Sequence, residues 1–155
     1  MRVFPQLKAE NLNREMMEIP SLLRGEINLV LVAFQQWQQS VVNSWIPYLE
    51  SLCDNLADFD YYELPTIQRM NAIYRRFIDG GMRAGIQSRE TRERTITLYI
   101  DKEPFKDALD IVTEETIYLY LIDKEGNILW ESNGQLTEEK KTSLNNVLRE
   151  HYRKQ

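Results

Sequence analysis

Residues 27–56 read INLVLVAFQQWQQSVVNSWIPYLESLCDNL, and this stretch decides the fold. Ile27 to Phe34 is almost wholly apolar and rich in branched side chains. A short run of that kind, bounded by polar residues, reads as a strand buried on both faces, as in a parallel sheet. The polar Gln35–Ser40 stretch then turns the chain. From Val41 to Leu56 the apolar positions Val42, Trp45, Leu49, Leu52, Cys53 and Leu56 fall at helical spacing. Strand, polar turn and helix make the first half of a unit whose next strand lies parallel to the first.

The pattern continues on both sides. Upstream, residues 1–25 read as turns, with one short strand near Met16–Ile19, and form an N-terminal extension. Downstream, Phe59–Leu64 reads as a strand and Thr66–Ile78 as an amphipathic helix, closed by Gly80 and Gly81. Residues 65–94 thus read as a basic helix-loop insertion. Arg94–Ile100 alternates like a strand, and Glu103–Leu109 reads as a short helix. Lys124-Glu125-Gly126 between Ile117–Ile122 and Asn127–Trp130 is a hairpin signal. Thr137 is a helix cap with Glu138 and Glu139 in the favourable first turn. That helix runs to about Tyr152 and buries Leu144, Val147 and Leu148. The result is α/β: a central mixed sheet with helices on both faces, and a C-terminal β-hairpin plus helix.

Composition bounds the rest. The 155 residues fit one domain, and 43% hydrophobic with 28% charged residues is an ordinary globular balance. The net charge of −5 argues against general nucleic-acid binding. One cysteine excludes an intramolecular disulfide, and one histidine beside it disfavours a zinc site, so no metal is expected. Met1–Arg14 lacks the basic start and apolar run of a secretory signal, and no apolar run approaches the roughly 20 residues that cross a bilayer. The chain reads as soluble, working at a membrane only from its side.

The element order resembles the thioredoxin-like fold. Phe34 at the strand end and Pro47 in the helix are separated as in thioredoxins, which puts Gln39, Ser40, Val41 and Val42 where the redox Cys-x-x-Cys would stand. Both cysteines are missing, and Ile117 stands where that fold has its proline before the penultimate strand pair. A narrower likeness is to the mitochondrial ATP-synthase assembly factor family. It rests on Ser44-Trp45-Ile46-Pro47, on Tyr61-Tyr62-Glu63-Leu64, and on the run from Asp101 to Ile111. Tyr118–Asp123, Gly126–Trp130, Gly134 and Glu138-Glu139 complete it. The resemblance implies a protein partner in the membrane sector of ATP synthase. It also implies an organelle matrix for a chain whose presequence has been removed; a prokaryotic relative would be cytoplasmic.

The residues themselves offer little catalytic chemistry, and no catalytic residue and no cofactor are assigned. Disulfide exchange needs an attacking thiolate and usually a resolving partner. A serine nucleophile at Ser40 needs a base, and the only histidine, His151, lies near the far end of the last helix. The glutamines of the turn can instead satisfy free backbone donors. Cys53 lies on the apolar stripe of its helix and reads as packing. The rival reading is a thiol peroxidase or thiol-disulfide oxidoreductase using Cys53.

Arginine is the uneven residue. Seven of the twelve arginines fall between Arg69 and Arg94, against Asp79, Glu90 and Glu93, so that stretch is +4 and the remainder −9. The plain reading is a solvated helix face and loop. The sharper reading is a partner-binding surface of Arg75, Arg76, Arg83 and Arg89 with Tyr74 and Phe77, able to meet a partner helix or lipid headgroups. Trp37, in the polar turn, is a second candidate. If exposed, it marks a crevice at the C-terminal end of a parallel strand, and a small-molecule binding domain there is the remaining alternative.

Overall fold

A computed structural model describes residues 2–69, 82 and 93–154. The first elements are two short strands, β1 (Leu7–Glu10) and β2 (Met16–Ile19), paired antiparallel with Leu7 opposite Ile19. β2 lies where the sequence places a strand; β1 stands where it gives only turns. Asn11 closes the connection, its side-chain oxygen accepting from the backbone N–H groups of Asn13 and Glu15.

The main sheet has five strands in the order β5-β4-β3-β6-β7. They are β3 (Ile27–Ala33), β4 (Phe59–Gln68), β5 (Leu98–Ile100), β6 (Tyr118–Asp123) and β7 (Ile128–Asn133). β3, β4 and β5 run parallel, and β6 and β7 are antiparallel neighbours. β3 is central and buried through Val32, as its nearly all-apolar run requires, and the buried Asn28 amide is paired with the Gly25 backbone. A 3-10 turn at Gln36–Gln38 leads from it into α1 (Gln39–Asn55). Two further helices among the described residues are α2 (Lys102–Ala108) and α3 (Glu138–Arg153).

Alternation along the strands sends side chains to two cores. On one face Leu29, Leu31, Tyr61, Leu119 and Leu121 meet Trp45 and Leu49 of α1 and Leu144 and Leu148 of α3. On the other, Val30, Val32, Tyr62, Leu64 and Tyr120 meet Phe105 of α2, together with Phe4, Ile19 and Leu23 from the N-terminal segment. Each fully buried large side chain contributes on the order of 2 kcal/mol. The β6–β7 turn forms as its sequence demands. Gly126 has φ +88°, and Asp123 Oδ1 accepts from the N–H groups of Glu125 and Asn127. Thr137 caps α3 by accepting from the Lys140 N–H at 3.2 Å.

Two boundaries differ from the sequence reading. Thr66–Gln68 belong to β4 and not to a helix, because they pair in register with Leu98–Ile100. The strand expected over Arg94–Ile100 narrows to Leu98–Ile100, with Thr95 and Ile96 in isolated bridges to Glu63 and Asn11.

Candidate functional site

The turn after β3 is built around one amide. Gln38 is fully buried. Its Oε1 accepts from the N–H groups of Phe34 at 2.8 Å and Gln35 at 3.1 Å, and its Nε2 donates to the Glu114 carbonyl at 2.7 Å. Three backbone groups that the end of β3 and the loop before β6 leave open are thereby paired. Glu114 is gripped in turn. Its carboxylate accepts from Lys102 Nζ at 2.8 Å and Lys106 Nζ at 3.1 Å, both on α2. These hydrogen bonds, Lys102 first, hold its pKa below the usual carboxylate value against the effect of burial.

Gln39, Ser40, Val41 and Val42 form the first turn of α1. Val42 is buried, and Val41 packs against the same core. Ser40 Oγ donates to the Trp37 carbonyl at 3.3 Å. Gln39 Nε2 reaches Glu63 Oε1 at 3.2 Å on β4. Burial pushes the Glu63 carboxyl up, against that hydrogen bond. Trp37 is 56% exposed and stands on the surface.

The thiol lies elsewhere. Cys53 is two residues before the C-terminal end of α1, half-buried, with Asp60 Oδ1 at 3.7 Å. Burial first, then the Asp60 charge, pushes its pKa up to about 12. A reactive cysteine needs the reverse: exposure, cationic neighbours or a helix N-terminus. One cation is present, but Arg94 is committed to Asp60 and stacks over the Tyr61 ring at 4.6 Å. The Tyr61 hydroxyl donates to Glu50 at 2.5 Å.

Arg75, Arg76, Arg83, Arg89, Tyr74 and Phe77 lie outside the described residues. Two residues at the end of that stretch face inward: Arg94 pairs with the buried Asp60, and Glu93 pairs with Arg24 at 2.5 Å. Arg94 therefore leaves the set of arginines open to a partner. No group of three or more His, Cys, Asp or Glu able to hold a metal ion occurs among the described residues, and none of the described helices is long and apolar enough to cross a membrane.

Sequence reasoning misses the Gln38–Glu114 bond and the Asp60–Arg94 pair. The partners are 76 and 34 residues apart, and no local spacing announces them.

The family described as ATP10 protein matches residues 2–150. The chain belongs to that family, one of ATP-synthase assembly factors. No curated protein is a significant sequence match. Among solved structures, BsSco, a member of the Sco family of cytochrome c oxidase assembly proteins, is similar at 13% identity and TM-score 0.62, over 96% of this chain and 92% of that one. A thiol-disulfide oxidoreductase from Bacteroides fragilis is similar at 10% identity and TM-score 0.58, over 94% and 99%. The lipoprotein thioredoxin Etrx1 of Streptococcus pneumoniae follows at 14% identity and TM-score 0.54, over 94% and 99%. Likeness at such identities shows the thioredoxin-like fold and nothing of its chemistry.

Proposed function

From membership of the ATP10 protein family, we propose that this chain is a non-catalytic thioredoxin-like assembly factor that binds a membrane-sector component of ATP synthase. Gln39, Ser40, Val41 and Val42 occupy, in this reading, the place of the relatives' redox pair. The observation that carries the non-catalytic part is the position of the thiol. The chain's one cysteine lies at the wrong end of α1 for activation, and its pKa is about 12.

The partner is gripped by Arg75, Arg76, Arg83 and Arg89, aided by Tyr74 and Phe77. Support comes from the concentration of arginine in an otherwise acidic chain. Guanidinium forks bind carboxylate or phosphate through two hydrogen bonds, which suits a protein surface beside lipid headgroups. Work at a membrane edge, in the cytoplasm or an organelle matrix, fits this chemistry.

The test is capture of partners from a detergent extract at low salt, where screening is weakest. Wild type is compared with a variant carrying Arg75→Glu, Arg76→Glu, Arg83→Glu and Arg89→Glu. ATP-synthase membrane subunits are expected with wild type and lost with the variant. Equal recovery by both proteins removes the arginine surface from the account.

A further inference from the structure

β7 is one edge of the five-stranded sheet, and the chain's own first residues fill part of that edge. Val3 stands opposite Asn127 in an antiparallel bridge. Phe4 N–H donates to the Gly126 carbonyl at 2.7 Å, and Ile128 N–H donates to the Arg2 carbonyl at 3.4 Å. The start of β7 thus already holds an extended segment on its outer side.

The next part of the edge is open among the described residues. Gly134 N–H donates to the Ile117 carbonyl, inside the hairpin, at 3.1 Å. Backbone groups along an antiparallel strand alternate in direction, so those of Ser132 face β6 and those of Asn133 and Glu131 point away from it. Lys140 Nζ meets the Asn133 carbonyl on that outer side. The N–H and C=O of Glu131 and the N–H of Asn133 have no described partner. Proteins usually cover or charge such edges. Here Arg2–Phe4 cover one end and Lys140 the other, and Glu131 lies between. Its carboxylate pairs with the Arg2 guanidinium, whose Nε is also 3.5 Å from Asp110 Oδ2. One guanidinium against two carboxylates leaves one negative charge over, and the Asp110 side chain is 76% exposed. On the opposite face of β7, half-buried Trp130 packs edge-on against Trp45.

We propose that β7 at Glu131 takes an extended segment of a partner polypeptide by antiparallel strand addition, in line with Arg2–Phe4, with a basic side chain opposite Glu131 and an apolar one opposite Trp130. Backbone pairing supplies the attachment, since the residue opposite Glu131 exchanges both hydrogen bonds with it. Alternation supplies the selectivity. The side chain opposite Glu131 lies on the face of the two carboxylates that share Arg2, and the next one lies on the Trp130 face. Lys140 disfavours a second cation at the Asn133 end. A second copy of this chain fits poorly, because two β7 strands paired about Glu131 set like carboxylates opposite each other. The inference rests on the reading that this protein binds polypeptide, but not on the arginines.

The full chain is titrated with a capped hexapeptide of threonines with Lys-Val at its centre, and backbone amides are followed by NMR. One control peptide replaces the lysine by glutamate. Another methylates the lysine backbone nitrogen, removing the N–H that the Glu131 carbonyl accepts. The lysine peptide is expected to shift the Glu131 and Asn133 amides saturably and to slow exchange of the Glu131 amide. Glutamate weakens binding about fivefold, and methylation abolishes it. Asp110→Asn weakens the lysine peptide about threefold by removing the surplus charge. Asparagine tolerates the φ of +56° at that position, and a melting curve checks that the variant folds. The proposal is overturned by no saturable shift, by equal binding of either control peptide, or by indifference of the folded variant. It is also overturned if the same amides shift with rising protein concentration alone, since a second copy would then fill the edge. These outcomes are independent of capture by the arginine surface, so either reading can fail alone.

Discussion

At the start of α1 a neutral amide, Gln38, is fully buried with three hydrogen bonds to backbone groups. Near its other end a thiol, Cys53, is half-buried beside the Asp60 carboxylate. The positive pole of the helix, which stabilises a thiolate, thus faces residues that cannot form one. The negative pole faces the one group that can. What differs between the two ends is how burial is compensated. At Gln38 every polar atom is paired without charge. At the far end Asp60 and Arg94 offset each other, and Cys53 is left with its proton. The helix start, which carries no thiol, has no unpaired polar group at Gln38. The turn there is a satisfied structural joint.

Three variants test this contrast. The largest effect belongs to Asp60→Ala, which strands the mostly buried Arg94 guanidinium and is expected to destabilise the fold by about 3 kcal/mol. Urea unfolding measures it. The double change Asp60→Leu with Arg94→Met recovers most of the loss, because an apolar pair carries no desolvation penalty. If the double variant is as weak as the single one, the ion pair contributes more than mutual compensation.

Next comes Gln38→Leu. It leaves the Phe34 and Gln35 N–H groups and the Glu114 carbonyl unpaired, for a loss of about 2 kcal/mol. Gln38→Glu retains the acceptor and removes the donor. Hydrogen exchange separates the two. The Phe34 and Gln35 amides stay protected in Gln38→Glu and exchange faster in Gln38→Leu. Equal exchange in both variants contradicts the assigned bonds.

The smallest effect concerns Cys53, and its sign follows from the direction of the shift. The folded chain keeps the thiol proton up to about pH 12, while the unfolded chain releases it near its ordinary value of 9.0. Above that value the unfolded state binds fewer protons, so stability falls as pH rises. Cys53→Val removes this contribution, and by pH 10 its stability relative to wild type improves by about 1 kcal/mol over the difference at pH 7. Burial of the Tyr48 hydroxyl, also pushed up to about 12, leaves a residual alkaline slope in both proteins. Parallel profiles for the two proteins would mean that Cys53 titrates normally and is more accessible than its surroundings indicate.

The frame of the molecule is legible in the sequence wherever local chemistry dictates it. The branched run of β3, the apolar stripe of α1, the Asp123–Gly126 turn and the Thr137 cap all form where their residues place them. β1 escapes because Leu7–Glu10 has no strong pattern of its own and exists by pairing with β2. Thr66–Gln68 escape because β5, about thirty residues further on, holds them as strand. The candidate site is less legible for the same reason. Trp37 is visible as a polar-turn tryptophan, but the bond from the adjacent Gln38 to Glu114, 76 residues away, is not. Arg94, counted in the arginine-rich stretch though not among the four docking arginines, is turned inward by Asp60, a strand residue that looks ordinary in its own context.

The central claim is that this chain supports ATP-synthase assembly without thiol chemistry. The most direct measurement is the level of assembled ATP synthase on native gels, in cells whose own copy is replaced by Cys53→Ser. With that variant folded to the same melting temperature, the account predicts assembly equal to wild type. Assembly that collapses to the level of cells lacking the protein would contradict it and return Cys53 to the centre of the mechanism.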